Sequence, residues 1–425
     1  MSFVNDYNNA GVGVVMDVVY NHMPSQSGSS FEQVFPGYYF RDVSVSGAGV
    51  DVAAQRSMVR QFIVDSVTMW AKEYHISGFR FDLMGILDVK TMKAVRQALD
   101  EINPNILVYG EGWQMFNDGT DPSTGLGTAD MAYQGSLNYM GEDWVGSFND
   151  DVRDAIKGQQ SGDASWVTKD LGYVQQAILG TQNLGDMQYD KSKIYYGQTG
   201  TLGYHIDGRP IYNQSAHDGI GASICYTECH DNLMLWDKLT MSTPEANRGE
   251  VEDMARMANS TVLSALSPAF FQIGQDFGRS KSFTDTKFNQ VNPGYFEDPY
   301  VPGIYYSHNS YNLSDEINAI DWNLLNEHST MESDFRRMLT QRVDASEGIA
   351  TSLGRELTYE DFGANGAEGV EGIYTCNVEP NDYVISIKLA LPDGKTYLAI
   401  QNYSTGAVTI DNHTVNSRSS GIFIY

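Results

Sequence analysis

The sequence predicts an α/β fold with a parallel sheet, followed by a small antiparallel β domain. Short apolar runs alternate with segments of helical periodicity through the first two-thirds of the chain, and several of those runs end in charged residues. From about residue 341 the hydrophobic period shifts to two, the spacing of a half-buried strand.

The elements follow in order. SFVNDYNNAGVG reads as the tail of a helix turning at Gly11 into a strand, rather than the natural start of a domain. VGVVMDVV (12–19) is a continuous apolar run with one aspartate, the pattern of a parallel strand covered on both faces, and Asp17, Asn21 and His22 cluster at its end. Val59, Phe62, Ile63, Val67, Trp70 and Tyr74 recur at helical spacing within 56–75. GFRFD then reads as a strand, 88–102 as a helix, and NILVYGE (105–111) as a strand ending in a carboxylate. A short strand at 145–148 and a helix over 151–157 come next. Residues 158–222, rich in Gly, Gln, Asp and Tyr, read as an irregular surface insertion with some helix. SICYTECHDN (223–232) gives a strand ending at His230 and Asp231, 245–266 a helix, and PAFFQIG (268–274) a sixth strand. YVISIKL, the turn signal Pro392-Asp393-Gly394, TYLAIQNY and GIFIY build the β domain, so the domains divide as 1–324 and 325–425.

Composition narrows the partners. Asp and Glu number 54 against 27 Lys and Arg in 425 residues, and the formal charge of -27 repels nucleic acid and anionic membranes. Neutral or cationic partners remain, neutral sugars among them. Cys225, Cys229 and Cys376 cannot form a disulfide framework and lack further ligands at zinc-finger spacing, so they read as free buried thiols. No apolar run reaches the roughly 18 residues that a membrane span requires.

The strand ends carry the chemistry. In an extended chain Arg80 and Asp82 share one face while Phe79 and Phe81 take the other. Polar groups at the carboxyl ends of successive parallel strands converge on the face where (β/α)-barrel enzymes work: here Asp17 and His22, Arg80 and Asp82, Glu111, then His230 and Asp231. Three carboxylates on separate strands suit glycosidic bond cleavage, which needs an ionised nucleophile and a protonated acid. Arg80 lies beside Asp82 and favours its ionised form, whereas Glu111 has an aromatic neighbour and no adjacent cation in sequence, the environment of a general acid. Asp82 paired to Arg80 as a purely structural strand cap is the alternative. His22 and His230 with Asp17 and Asp231 as metal ligands is another, although no HxH or HExxH spacing supports it. Trp113, Tyr20, Tyr38, Tyr39 and Trp236 are candidates to stack on sugar rings, or plain core.

DVVYNH (17–22), GFRFDLMG (78–85), YGEGW (109–113) and ECHDNLMLWDKL (228–239) resemble the four ordered motifs of the α-amylase superfamily, glycoside hydrolase family 13, in their type I pullulanase form. PGYYFR (36–41), FNDDVRDAIKG (148–158) and HNSYNLSDEINAIDW (308–322) extend the resemblance over nearly the whole chain. It implies a (β/α)8 TIM-type barrel lacking its first two strands, then a small antiparallel β-sandwich domain. It also implies debranching of α-1,6 bonds in pullulan and branched α-glucans by a retaining mechanism. Asp82 is then the nucleophile, Glu111 the acid/base and Asp231 the transition-state stabiliser. Arg80 would hold the nucleophile, with Asp17, Tyr20, His22, Met84, Trp113, His230 and Asn232 binding or supporting substrate. The resemblance implies no required cofactor, a structural calcium without a clear motif, an α-glucan as partner and a monomer. Val50, Cys229, Met234 and the pair Gln275-Asp276 depart from the family pattern. An isoamylase-like or glycogen-debranching relative is the alternative among enzymes, and a non-catalytic α-glucan-binding fragment the alternative outside them. The motif order further suggests a fragment of a longer gene product, with open sheet edges and weak or no activity alone.

Overall fold

The structure is a computed structural model, and it describes residues 2–116, 125–140, 145–160, 164–180, 183–200, 205–206, 209–210, 220–284, 294–354 and 383–425. The chain divides into two compact units: 1–148 with 202–205 and 210–223, and 149–201 with 206–209 and 224–425. The division between these units falls after Phe148.

In the first unit, helix α1 (Ser2–Asn9) ends at Gly11, whose φ of 78° makes the turn into the sheet. Strands β1 (Val15–Val18), β2 (Gly78–Phe81), β3 (Leu107–Gly110) and β4 (Gly146–Phe148) run parallel in that spatial order. Helices α2 (Ser57–Tyr74) and α3 (Val89–Asp100) are the crossovers. Val59, Ile63 and Val67 of α2 and Met92, Val95 and Leu99 of α3 recur at three- and four-residue spacing, and all are fully buried with Phe79 and Phe81. Asp88 caps α3 by accepting from the Thr91 amide at 3.0 Å, and His75 closes α2 in the left-handed conformation. One expectation fails. β1 pairs with β2 alone among the described strands, so Val15 and Val19 are 36% and 55% exposed rather than covered on both faces.

In the second unit, α4 (Asp150–Lys157), α5 (Tyr173–Leu179) and α6 (Leu184–Gln198) pack on one another. Tyr173, Val174, Ile194 and Tyr195 are buried, so the described part of 158–222 is core-forming helix and not a surface insertion. Its Gly- and Gln-rich sequence hid the apolar spacing. Helices α7 (Leu235–Ser242) and α8 (Val251–Leu263) follow; the sixth expected strand is a single parallel bridge between Cys225 and Ala269.

A 25-residue helix, α9 (Ser329–Leu353), corrects the expectation that 325–425 is all β. Met331, Met338, Ala345 and Ile349 are its buried side, a helical period that runs beyond residue 341. Arg342 of α9 donates to the Leu263 and Ser267 carbonyls at 3.1 and 2.8 Å. Beyond it lie β5 (Val384–Ala390), β6 (Thr396–Asn402), the hairpin β7 (Val408–Ile410) and β8 (His413–Val415), and β9 (Ser419–Ile424). β5, β6 and β9 form an antiparallel sheet in that order. Asp411 and Asn412, both at positive φ, make the two-residue hairpin turn.

Candidate active site

The parallel register decides which side chains meet. Asp17, Arg80 and Tyr109 occupy one row across β1, β2 and β3, and the ladder continues as Asp82 N donates to Val18 O and Glu111 N to Phe81 O, each at 3.0 Å. Side chains two residues further along a strand return to the same face, which puts Asp82 and Glu111 beside Arg80.

Arg80 is the hub. Its Nη1 donates to Asp17 Oδ1 at 2.8 Å and to Asp82 Oδ1 at 2.9 Å, while its Nη2 pairs with Glu111 Oε1 at 2.7 Å. The guanidinium is 6% exposed and Glu111 9%, whereas Asp82 is 20% and Asp17 53% exposed. Burial opposes the Arg80 charge, but the fields of Glu111 and Asp17 and the bonds to Asp17 and Asp82 outweigh it and push its pKa above the ordinary guanidinium value. Glu111 therefore does have a cation against it. The sequence conceals this because Arg80 is 31 residues away and comes alongside only through the β2–β3 pairing.

Two supports come from the backbone. Leu83 adopts φ 40°, a left-handed conformation uncommon outside glycine, and from there its N–H donates to Glu111 Oε2 at 3.0 Å. Gly110 precedes Glu111 because a Cβ there would lie 2.4 Å from Phe81 O and 2.8 Å from Met84 Cβ.

Asn21, one of the polar residues clustered at the end of β1, is fully buried. Its Nδ2 donates to Asp82 Oδ2 at 2.8 Å and also to the Asp82 carbonyl. The amide oxygen is thereby turned to His22 Nδ1, which must be the protonated nitrogen, leaving Nε2 to a ligand.

The remaining first-unit candidates are placed as follows. Tyr20 donates or accepts with Ser66 Oγ at 2.7 Å and packs on Phe62 and Phe81. Met84 is fully buried in the same core. Trp113 is half-buried, with its backbone against Gly85. Tyr39 stacks on Phe31 at 4.6 Å, and the Arg56 guanidinium lies over the Tyr38 ring.

In the second unit His230 Nε2 lies 3.6 Å from Asp231 Oδ2, with the two side chains 50% and 57% exposed. Cys229 Sγ lies 3.3 Å from His230 Nδ1, and Asn232 turns the chain at φ 67°. Trp236 packs against His328 at 4.5 Å. Gln275, at a departure from the family pattern, donates to Thr227 Oγ1 and Asn259 Oδ1 at 2.7 Å each, a task for an amide rather than an acid. Cys225 is buried and Cys229 only partly so; Cys376 lies outside the described residues. Among the described residues no group of three or more His, Cys, Asp or Glu is arranged to hold a metal ion, and no helix is long and apolar enough to cross a membrane.

The chain is 31% identical over 325 residues to the pullulanase of Bacillus subtilis, an alignment that covers 75% of this chain and 38% of that one. It is 25% identical over 439 residues to pullulanase A of Streptococcus pneumoniae, covering 94% and 31%. The pullulanase of an Anoxybacillus species, solved with maltotetraose, superposes with a TM-score of 0.73 at 26% identity, covering 99% of this chain and 55% of that one. The chain is a homologue of the pullulanases. A variant of the Paenibacillus barengoltzii pullulanase with maltotetraose gives a TM-score of 0.74 over 100% of this chain and 60% of that one. No family model matches the chain. This pullulanase homologue thus shares the α/β glycoside hydrolase fold, with helices and a parallel sheet, and spans 38% of the Bacillus subtilis relative.

Proposed function

We propose that the chain serves the hydrolysis of α-1,6-glucosidic bonds in pullulan and branched α-glucans by retaining double displacement. In this reading the parallel strands of the first unit are consecutive strands of a (β/α)8 barrel, and the β5–β6–β9 sheet belongs to a carboxy-terminal β-sandwich. The observation that carries the proposal is the single guanidinium shared by Asp82 and Glu111 at the ends of adjacent strands.

Asp82 attacks the anomeric carbon while Glu111 protonates the departing oxygen; Glu111 then activates water to release the sugar. During the first step negative charge leaves Asp82, which becomes an ester, and appears on Glu111, which has given up its proton. Both ends of that transfer touch Arg80, so the cation serves the cluster before and after the step with little reorganisation. The Leu83 amide likewise favours the Glu111 carboxylate, the form needed for the water step. Asp231 is assigned to stabilising the oxocarbenium-like transition state, His22 and His230 to sugar hydroxyls. No step requires a metal or cofactor. Complexes of pullulanases with maltotetraose support an α-glucan as the ligand class.

Proton NMR of the first-formed product tests the mechanism. An α-anomer is expected, and a β-anomer formed first would mean inversion and remove Asp82 from the nucleophile's role.

A further inference from the structure

We infer that Glu228 is a positioning residue for the turn that presents His230 and Asp231, acting through a buried carboxylate that ties the two ends of the turn together. The inference deepens the proposed function, since it rests on the reading of Asp231 as the transition-state stabiliser.

Glu228 is 1% exposed and stands three residues before Asp231. Its Oε2 accepts from the Leu235 amide at the first position of α7, so a single side chain spans from the incoming strand to the outgoing helix. A carboxylate at a helix amino terminus also meets the positive end of the helix dipole. Thr227, one residue earlier, is fixed through Gln275 to Asn259 of α8. Leu233 and Met234 are fully buried, Leu233 with Val167, Met241 and Tyr306. The turn is thus pinned at both ends, and only its middle, which bears His230, Asp231 and Asn232, reaches solvent.

An amide could accept the Leu235 bond as well, so the charge needs its own reason. Fully buried Lys157 on α4 has an ammonium with no hydrogen-bond acceptor among the described residues; burial and the nearby Arg153 push its pKa down to about 7, and the fields of Glu228 and Asp154 only partly oppose that. Burial likewise pushes Glu228 up to about 7 against the Leu235 amide bond and the Lys157 field, so the attraction between the two groups only partly offsets their desolvation while the carboxyl holds the turn.

The test uses Glu228→Gln, Lys157→Met and the double variant, with Asp231→Asn as control. Hydrogen exchange read by mass spectrometry should quicken at least tenfold in peptides covering 229–235 for Glu228→Gln, with peptides of α9 unchanged. Removing both charges should bring that exchange back to within threefold of wild type. On pullulan, Glu228→Gln should lower kcat about 10- to 100-fold and shift KM less than threefold. Unchanged exchange in 229–235 means that an amide serves as well and overturns the role of the carboxylate. Faster exchange with unchanged kcat overturns the positioning role. If Asp231→Asn keeps wild-type kcat, or the wild-type chain hydrolyses nothing, the reading of the site fails and takes the positioning role with it; the exchange comparison still decides the clamp.

Discussion

Replacing Arg80 by methionine should destabilise the first unit by about 3–5 kcal/mol, the usual cost of removing one partner from a buried ion pair. The guanidinium is 6% exposed and makes contacts of 2.7–2.9 Å to Asp17, Asp82 and Glu111. Asp17, 53% exposed, should add no more than about 1 kcal/mol, because water screens it. Glu111 and Asp82, at 9% and 20% exposed, should dominate: opposite charges about 4 Å apart attract by about 4 kcal/mol at an effective dielectric of about 20, before desolvation is subtracted. Without Arg80 their mutual repulsion is also uncompensated. Arg80→Lys should recover less than half, since one ammonium cannot reproduce the planar fork. Urea titration followed by probes in each unit is the assay, and the early transition should belong to the first unit. A loss below about 1 kcal/mol for Arg80→Met, or an equal loss for Asp17→Asn, would refute the reasoning.

Three further outcomes are expected. Gly110→Ala should cost about 1–3 kcal/mol and depress kcat more than it raises KM, because the new methyl meets the Phe81 carbonyl and must displace Glu111; unaltered kcat with a normal melting profile would contradict this. Asn21→Ala should lower kcat roughly tenfold by freeing Asp82 and the His22 tautomer, and an unchanged rate would separate Asn21 from the site. Asp237 is fully buried, which pushes its pKa up from 3.8 to about 7 despite bonds from Ser280 and the Lys281 amide. Its folded form therefore holds a proton that the unfolded form has lost between those values, so its contribution to stability falls as pH rises from about 4 to 7, by about 4 kcal/mol in all. Asp237→Asn should remove that slope in urea titrations at stepped pH, and parallel slopes for the two proteins would count against it.

The parts of the fold that read clearly from sequence were those where one period dominated. GFRFD, NILVYGE and the helix between them announced themselves by apolar runs and by Val89, Met92, Val95 and Leu99 at regular spacing. The meeting of Arg80 with Asp82 then follows from alternation along one strand. What could not be read was contact that only register creates. The Arg80–Glu111 pair joins two strands, and the Leu83 amide is a backbone donor whose direction depends on one positive φ. Helix α9 was misread because its apolar residues are spaced among Glu, Arg and Asp, and the β period beyond it drew the boundary too early. The helices Tyr173–Leu179 and Leu184–Gln198 were hidden by glutamine and tyrosine, which are equally at home in loops.

The central claim is that Asp82 and Glu111 do chemistry rather than hold a strand end together. Maltotriose release from pullulan by the wild-type chain, Asp82→Asn and Glu111→Gln measures it directly, with circular dichroism confirming that each is folded. Release by the wild type and a loss of at least about a hundredfold in each variant are expected. Release that survives either substitution, in a folded protein, would contradict it.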